Sequence, residues 1–522
     1  MNRPELLDRL LSRKSPWDLL IIGGGATGMG CAVDAASRGY QVALIEQHDF
    51  GKGTSSRSTK LAHGGVRYLE QGNVSLVMEA LKERGIMREN APHLVSDLAF
   101  VVPNYAWWEA PFYGVGLRLY DLLAGKYGFG VSRNLTKEET LERLPTLKTE
   151  DLRGGVVYYD GQFDDARLLV HLAMTAVEQG ATVLNYCPAV SLFKNADGMV
   201  AGAVARDAES GEQFEIHARA VINATGCFSD GVRRLADPGI APMVAPSQGV
   251  HLVFDGSFLR GETAIMVPHT SDGRVMFAIP WHGHTLVGTT DTAIEGVSLE
   301  PVPFDQEIEF ILETAGQYLA KPPARADILS AWAGIRPLVK SASGASTASL
   351  SRDHSIHIDP SGLLTIAGGK WTTYRHMAED CVGQATVLAG LEERDCVTRR
   401  LRIHGYHHHA SGFGHLEMYG SDAIAIQEMI RVHPERGRRL HEALPYVEAE
   451  VIWAARWEMG RTVEDVLSRR MRALLLNARA AVAMAPRVAE LLAGELGKDA
   501  AWQSAQVAAF SNLAAAYLPR QG

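Results

Sequence analysis

The stretch Asp18-Leu-Leu-Ile-Ile-Gly-Gly-Gly-Ala-Thr-Gly-Met-Gly30 constrains this chain more than any other. An apolar run leads directly into a Gly-x-Gly-x-x-Gly turn made by Gly23, Gly25 and Gly28. A small-residue helix follows, then a second apolar run, Val42-Ala-Leu-Ile-Glu46, that ends on a carboxylate. This is a strand, turn, helix and strand with an acid where a ribose diol would need an acceptor. The first glycine permits the turn, the second lets backbone approach a pyrophosphate, and the third lets helix and strand pack closely. The helix start, with Thr27 in its first turn, offers free N–H groups to the phosphates. Glu46 and the adjacent Gln47 are the candidates at the ribose. The pattern predicts a bound dinucleotide.

The remaining composition limits what else the chain can be. Its 522 residues suffice for two to four domains, and 46% hydrophobic with 21% charged residues is ordinary for a globular protein. A net charge of -9 argues against general nucleic-acid binding. Five cysteines without a C-x-x-C pair read as reduced thiols of a cytosolic protein. No apolar run reaches the ~20 residues that span a bilayer. Residues 1–14 place Leu6, Leu7, Leu10 and Leu11 on one side of a short helix with Arg3, Arg9, Arg13 and Lys14 elsewhere. Such a helix suits an anionic membrane surface or its own protein equally well.

Along the chain the nucleotide-type pattern is left and re-entered. The spacing predicts a first nucleotide-binding part over 15–100, including a helix over 74–90, then a substrate or cap segment over 101–160. Residues 104–127, rich in Trp, Tyr, Phe and Leu, read as a core helix or as a membrane-contacting one. A second nucleotide-domain part covers 161–235, where Asp164 opens a helix and Ala218 to Gly226 is a strand entering a turn. Short strands with turns over 236–330 predict an inserted antiparallel sheet facing the substrate. A third nucleotide-domain part spans 331–390, and 391–522 is a helical domain. A cofactor extended through one domain with its reactive ring facing a second is what a flavin needs, so the dinucleotide is read as FAD.

Several short segments carry candidate chemistry. Thr54-Ser-Ser-Arg-Ser-Thr-Lys60 can wrap a pyrophosphate and reach the flavin, which makes Thr54, Ser55, Ser56, Ser58, Lys60 and the following Leu61 candidate cofactor contacts. A surface Ser/Thr loop is the alternative. His63 and Gly64 follow, where paired glycines let backbone lie against a planar ring, and Arg67 and Tyr68 can extend into the cavity. Ala189, Val190, Asn223, Ala224 and Gly226 extend the candidate cofactor set. Arg336, beside Pro337, suits bidentate binding of a phosphate or carboxylate, or an ordinary ion pair. Gly368, Gly369 and Lys370, with Thr372 and Thr373, set a cation at a helix start, where negative charge on a reduced flavin would be stabilised. His251 is a general base, a substrate partner or a structural histidine. His407 to His409 point in different directions and read as a solvated loop, so no metal is expected.

These motifs together resemble the FAD-dependent (aerobic, respiratory) glycerol-3-phosphate dehydrogenases. The resemblance rests on the glycine turn, Thr54 to Leu61, His63 to Glu70, Asp164 to Leu168, Asn223 to Gly226, Ile279 to Trp281, Gly288 to Asp291, Gly334 to Leu338 and Gly368 to Arg375. It covers almost the whole chain; the tail with Glu448, Glu450, Arg456, Glu458 and Arg470 matches less distinctively. It implies an α/β fold of the glutathione-reductase/D-amino-acid-oxidase type with non-covalent FAD. It also implies oxidation of sn-glycerol 3-phosphate to dihydroxyacetone phosphate by hydride transfer from C2 to flavin N5, with electrons passed to a quinone. The enzyme would be cytoplasmic and peripheral on the inner membrane, with a homodimer compatible. Arg336, Lys370, Arg67, Tyr68 and His251 become the substrate-site candidates, with the base unassigned. Cys227-Phe228 departs from the Pro-Trp that members often carry, and the segment after Asp291 is unusual. An oxidase passing electrons to oxygen, and a flavin-binding sensor without catalysis, are the rival readings; the arginine-bearing motifs disfavour an amine or amino-acid oxidase.

Overall fold

Strand Trp17–Ile22 lies between Val42–Ile45 and Gln213–Asn223, parallel to both. It is buried on both faces from Leu19 to Ile22, which is why that run is continuously apolar and does not alternate. The computed structural model describes residues 1–66, 69, 73–268, 270, 273–340 and 353–519. The sheet runs His354–Ile358, Leu364–Gly368, Gln213–Asn223, Trp17–Ile22, Val42–Ile45, Thr182–Leu184, parallel except for the first pair. Ala189–Lys194 and Val200–Arg206 extend it as an antiparallel meander. Helices Ala26–Ser37, Asp165–Glu178 and Tyr374–Leu388 pack beside it. The glycine turn is as tight as its sequence requires: Gly23 has φ +113, and a Cβ on Gly28 would lie 1.9 Å from the Gly23 carbonyl oxygen.

A second, ten-stranded sheet is mostly antiparallel. Its order is Thr292–Ala293, Val244–Asp255, His284–Gly288, Met276–Trp281, Thr263–Val267, Val95–Asn104, Gly154–Phe163, Leu61–Ala62, with Ser330–Val339 and Arg133–Thr136 paired off this path. Only Thr263–Val267 against Val95–Asn104 is parallel among these pairs. Residues of Val244–Asp255 alternate between two cores: Val253 joins one shared with the C-terminal helices, while Val250, Leu252 and Phe254 join one under helix Asp305–Tyr318.

The fold class is the one expected, but sheet membership moves its boundaries. Leu61–Ala62 and the first six residues of Val95–Asn104 fall inside the 15–100 segment expected to bind FAD, yet both strands belong to the second sheet. Ser330–Val339, assigned mostly to the third nucleotide-domain part, pairs residue by residue with Val244–Asp255 from Val253↔Ser330 to Val244↔Val339. A strand's local pattern reports its faces and says nothing of a partner edge far away in sequence. The helices were more legible. Val74–Asn90 is capped by the Asn73 side chain, and Asp164 caps Asp165–Glu178 by accepting from Arg167 N at 2.9 Å.

The N-terminal helix Arg3–Ser12 packs on its own chain. Leu6 and Leu10 are buried, and Arg3 pairs with Asp207 at 2.6 Å. The aromatic stretch forms helix Glu109–Ala124, with one apolar face packed in the core and the other exposed. Tyr113, Leu117 and Tyr120 are buried, whereas Phe112, Val115, Leu119 and Leu122 form an exposed outer stripe continued by Trp107 and Trp108. Among the described residues no helix is long and apolar enough to cross a membrane.

Candidate active site

One cavity of about 900 Å³ runs from the glycine turn to the face of the second sheet. That is the size of a large cofactor pocket. At one end lie Gly23, Gly25, Thr27, Glu46 and Gln47. The Glu46 carboxylate accepts from Gly24 N at 2.6 Å and His48 N at 2.9 Å, which leaves acceptor positions for a diol. Burial nevertheless pushes its pKa up, against the pull of those two N–H groups. Ser55 Oγ accepts from Ala26 N at 2.9 Å and so caps helix Ala26–Ser37 from another loop. Thr54 Oγ1 donates to Ile335 O at 2.6 Å, tying that loop to the second sheet. Ser58, Leu61, His63, Ala189, Ala224 and Gly226 also line the cavity.

The other end carries the cations and the histidine. Arg336, on Ser330–Val339, donates through Nη1 to Asp291 Oδ1 at 3.2 Å and through Nη2 to Thr290 O at 3.0 Å. The ion pair foreseen as an alternative is therefore present, but it orients a guanidinium that still borders the cavity and is 24% exposed. His251, on Val244–Asp255, is buried, stacks on Trp332 at 4.3 Å and shares a 2.9 Å hydrogen bond between Nε2 and Thr59 Oγ1. Burial, then the charges of Lys60 and Arg336, hold it well below the usual histidine range, so it is neutral at pH 7. Two glycines make these placements possible. A Cβ on Gly249 would lie 2.5 Å from Arg336 Nη2, and one on Gly288 would lie 2.5 Å from His251 Cδ2. Gly368 and Gly369, with φ +80 and +73, turn the chain so that Lys370 and Thr372 join the cavity wall.

Other expected cofactor residues stand one step back. Gly28 packs on Gly23, Ser56 Oγ donates to Gly51 O at 2.7 Å, and Gly64 N donates to the Tyr120 hydroxyl at 2.7 Å. Asn223 is buried and bonded to Ser229 O, and Thr373 Oγ1 donates to Lys370 O. Val190 lies on a peripheral strand. Lys60 is the clearest correction. It is fully buried, and its ammonium is consumed by Asp165 at 2.6 Å and Ser56 O at 2.8 Å, so it offers no charge to a phosphate. Arg67 and Tyr68 lie outside the described residues. Thr59, Trp332, Asp291 and Gly249 were not singled out from sequence, although Thr59 and Asp291 sit inside recognised motifs.

The chain has close counterparts among known proteins. A family model described as FAD dependent oxidoreductase matches residues 18–375, and one described as the C-terminal domain of alpha-glycerophosphate oxidase matches 366–503. The chain is 44% identical to a Caenorhabditis elegans protein named probable glycerol-3-phosphate dehydrogenase, mitochondrial, over 97% of this chain and 74% of that one. It is 43% identical to the human protein named glycerol-3-phosphate dehydrogenase, mitochondrial, over 94% and 72% of the two chains. The chain belongs to the FAD-dependent glycerol-3-phosphate dehydrogenase family. A solved glycerol-3-phosphate dehydrogenase from Bacillus halodurans, complexed with FAD, superposes with a TM-score of 0.80 at 29% identity, covering 100% of this chain and 99% of that one.

FAD is thus the cofactor of this dehydrogenase-family chain, and the left-handed Gly23, the Glu46 acceptor and the extended cavity all suit it. The Cys227 that departs from the family pattern lines the cavity and donates to Ile335 O at 3.1 Å. It sits under the same strand that carries Arg336, and burial pushes its thiol up to about 11, leaving it protonated.

Proposed function

We propose that this chain oxidises sn-glycerol 3-phosphate to dihydroxyacetone phosphate and delivers the electrons to a quinone at a membrane surface. The observation that carries the reading is the meeting of Arg336 and His251 on one wall of the cavity whose far end is the glycine turn. FAD, when bound, supplies the two-electron acceptor for the C2 hydrogen of the alcohol. Gly23, Gly25 and Glu46 would hold its adenosine end, and Gly368 to Lys370 its ring. Arg336 takes the phosphate with a planar, two-pronged donor. His251, kept neutral, accepts the C2 hydroxyl proton. Lys370, where helix Tyr374–Leu388 approaches, adds positive potential where negative charge accumulates.

Anaerobic mixing of the FAD-loaded protein with glycerol 3-phosphate should bleach the flavin absorbance promptly; an unchanged spectrum sinks the reading. Reoxidation by a quinone analogue should then outpace reoxidation by air, whereas the reverse would make the protein an oxidase. The limiting rate of reduction should hold to below about pH 6, because a depressed pKa preserves the neutral imidazole under the ~6.5 of a free histidine. An acid limb at or above 6.5 would remove His251 as the base.

The outer stripe of helix Glu109–Ala124 supports the membrane assignment. Trp107 is 78% and Leu122 76% exposed, and Arg118 and Lys126 beside them are exposed cations. Such a face suits an anionic lipid surface. Phe112→Glu combined with Leu122→Glu should weaken co-sedimentation with anionic vesicles at least ~10-fold, from the ~1.5–3 kcal/mol each apolar side chain contributes. Activity with a soluble acceptor should persist. Intact vesicle binding would clear this face of the role, and a dimer lost in the variant would assign it to a second copy.

A further inference from the structure

Arg472 belongs to the C-terminal helical region, yet its guanidinium ends beside the loop 54–60 on the cavity wall. It follows the π-helical turn Asp465–Arg470 and is itself left-handed, with φ +66. Its Nη2 donates to Asp165 Oδ1 at 2.8 Å and to Ser56 O at 3.2 Å, and its Nη1 to Ser468 O at 3.0 Å. The second Asp165 oxygen gathers the loop: Ser58 N at 3.1 Å, Ser58 Oγ at 2.7 Å and Lys60 Nζ at 2.6 Å. Lys60 has φ +63, a conformation a lysine adopts only when its surroundings hold it there. Thr59 is the residue between these two anchored neighbours.

Thr59 meets His251 at 2.9 Å. Among the described residues its hydroxyl is the ring's one hydrogen-bond partner, and Nδ1 is buried without any. The stack on Trp332, tilted by 22°, fixes the plane of the imidazole. With Nδ1 buried, the ring's one polar route to the cavity is Nε2 through the hydroxyl of Thr59, which lines the cavity. Trp332 is tied to the same C-terminal region, because Ser330 Oγ donates to Leu474 O at 2.9 Å and Ala478 N to Leu329 O at 3.1 Å.

We propose that Thr59 relays the proton to His251, its Oγ1 taking the substrate hydroxyl proton as its own passes to Nε2, and that Arg472, acting through Asp165, holds the loop presenting Thr59. The C-terminal region thereby sets the geometry of the alcohol oxidation. This rests on the function proposed above, in which His251 takes the substrate proton. A proton relay lost or misplaced by a fraction of an ångström costs rate before it costs substrate affinity.

The test is anaerobic stopped-flow reduction of the full, FAD-loaded chain by glycerol 3-phosphate. In Thr59→Val the limiting rate should fall at least ~30-fold, within the range that general bases contribute, while the half-saturating substrate concentration and FAD content stay close to wild type. Thr59→Ser should restore most of the rate. Arg472→Lys should show the same loss of rate without loss of affinity, and the combined variant should be no slower than Thr59→Val alone. If Arg472→Lys does not accumulate as folded protein, Ser58→Ala, which removes the hydroxyl that links Asp165 to the loop and accepts from Lys60 N, is read in its place. A wild-type rate in Thr59→Val overturns the proposal. So does a combined loss equal to the product of the separate ones. A wild type that glycerol 3-phosphate fails to bleach is a distinct result; it refutes the functional reading and takes this proposal with it.

Discussion

Arg336→Ala is expected to lower kcat/KM for glycerol 3-phosphate by about 10²–10³-fold, mostly through KM, with FAD still bound. Two effects add. A charge-assisted contact to the phosphate is lost, worth ~1.5–3 kcal/mol for each such hydrogen bond. The partner Asp291, 3.2 Å from the guanidinium in the native site, loses that cation and faces an anion with its negative charge no longer offset. At ~1.4 kcal/mol per tenfold, a combined loss of ~3–4 kcal/mol gives the stated range. The second effect makes the prediction specific, because Arg336→Ala with Asp291→Asn should recover part of the KM. Arg336→Lys should remain well below wild type, since an ammonium cannot present two parallel donors. Steady-state kinetics with flavin content measured on the same samples decides it. An unchanged KM in Arg336→Ala would remove this residue from the phosphate site.

What was legible in the sequence depended on how local its cause is. The turn carries part of its reason within a few residues, since Gly23 has φ +113 and a Cβ on Gly28 would lie 1.9 Å from the Gly23 carbonyl oxygen. The opening at Asp164 is equally local, and helix Asp165–Glu178 begins where it points. Lys60 misled because a lysine in a hydroxyl-rich loop looks like a phosphate ligand. Its true partner, Asp165, follows 105 residues later, and nothing near Lys60 announces it. Gly249 and Gly288 were silent for a related reason: each is small only because a side chain from another position must lie across it. The aromatic segment around Trp107 could be read two ways because a helix on a protein surface has two faces, and composition alone does not assign them.

The clamp from the C-terminal region also predicts a large effect on stability. Asp49, at the end of the segment after Glu46, is fully buried and accepts from Arg469 Nε at 2.5 Å, Arg470 Nη2 at 2.9 Å and, more closely still, Arg470 Nη1. Asp49→Asn is expected to cost about 3–5 kcal/mol, because two guanidiniums would remain buried without their shared counter-charge. It should also weaken FAD retention, since Asp49 anchors the loop that begins at Glu46. Burial opposes ionisation of Asp49, but Arg470 and then Arg469 outweigh it and bring its pKa from 3.8 to about 2. A depressed folded-state pKa means that the unfolded chain binds the proton first as pH falls. Stability from this group is therefore complete above about pH 4 and disappears as pH drops through about 2, a span worth roughly 2–3 kcal/mol. Denaturant titrations of both proteins between those pH values should give Asp49→Asn a shallower loss of stability with acid, on top of a lower starting point. Parallel curves with equal midpoints would mean that Glu464 and Asp465, which also receive Arg469 at 2.8 Å each, satisfy the arginine cluster alone. The C-terminal region would then hold the cofactor loop by packing and not by charge.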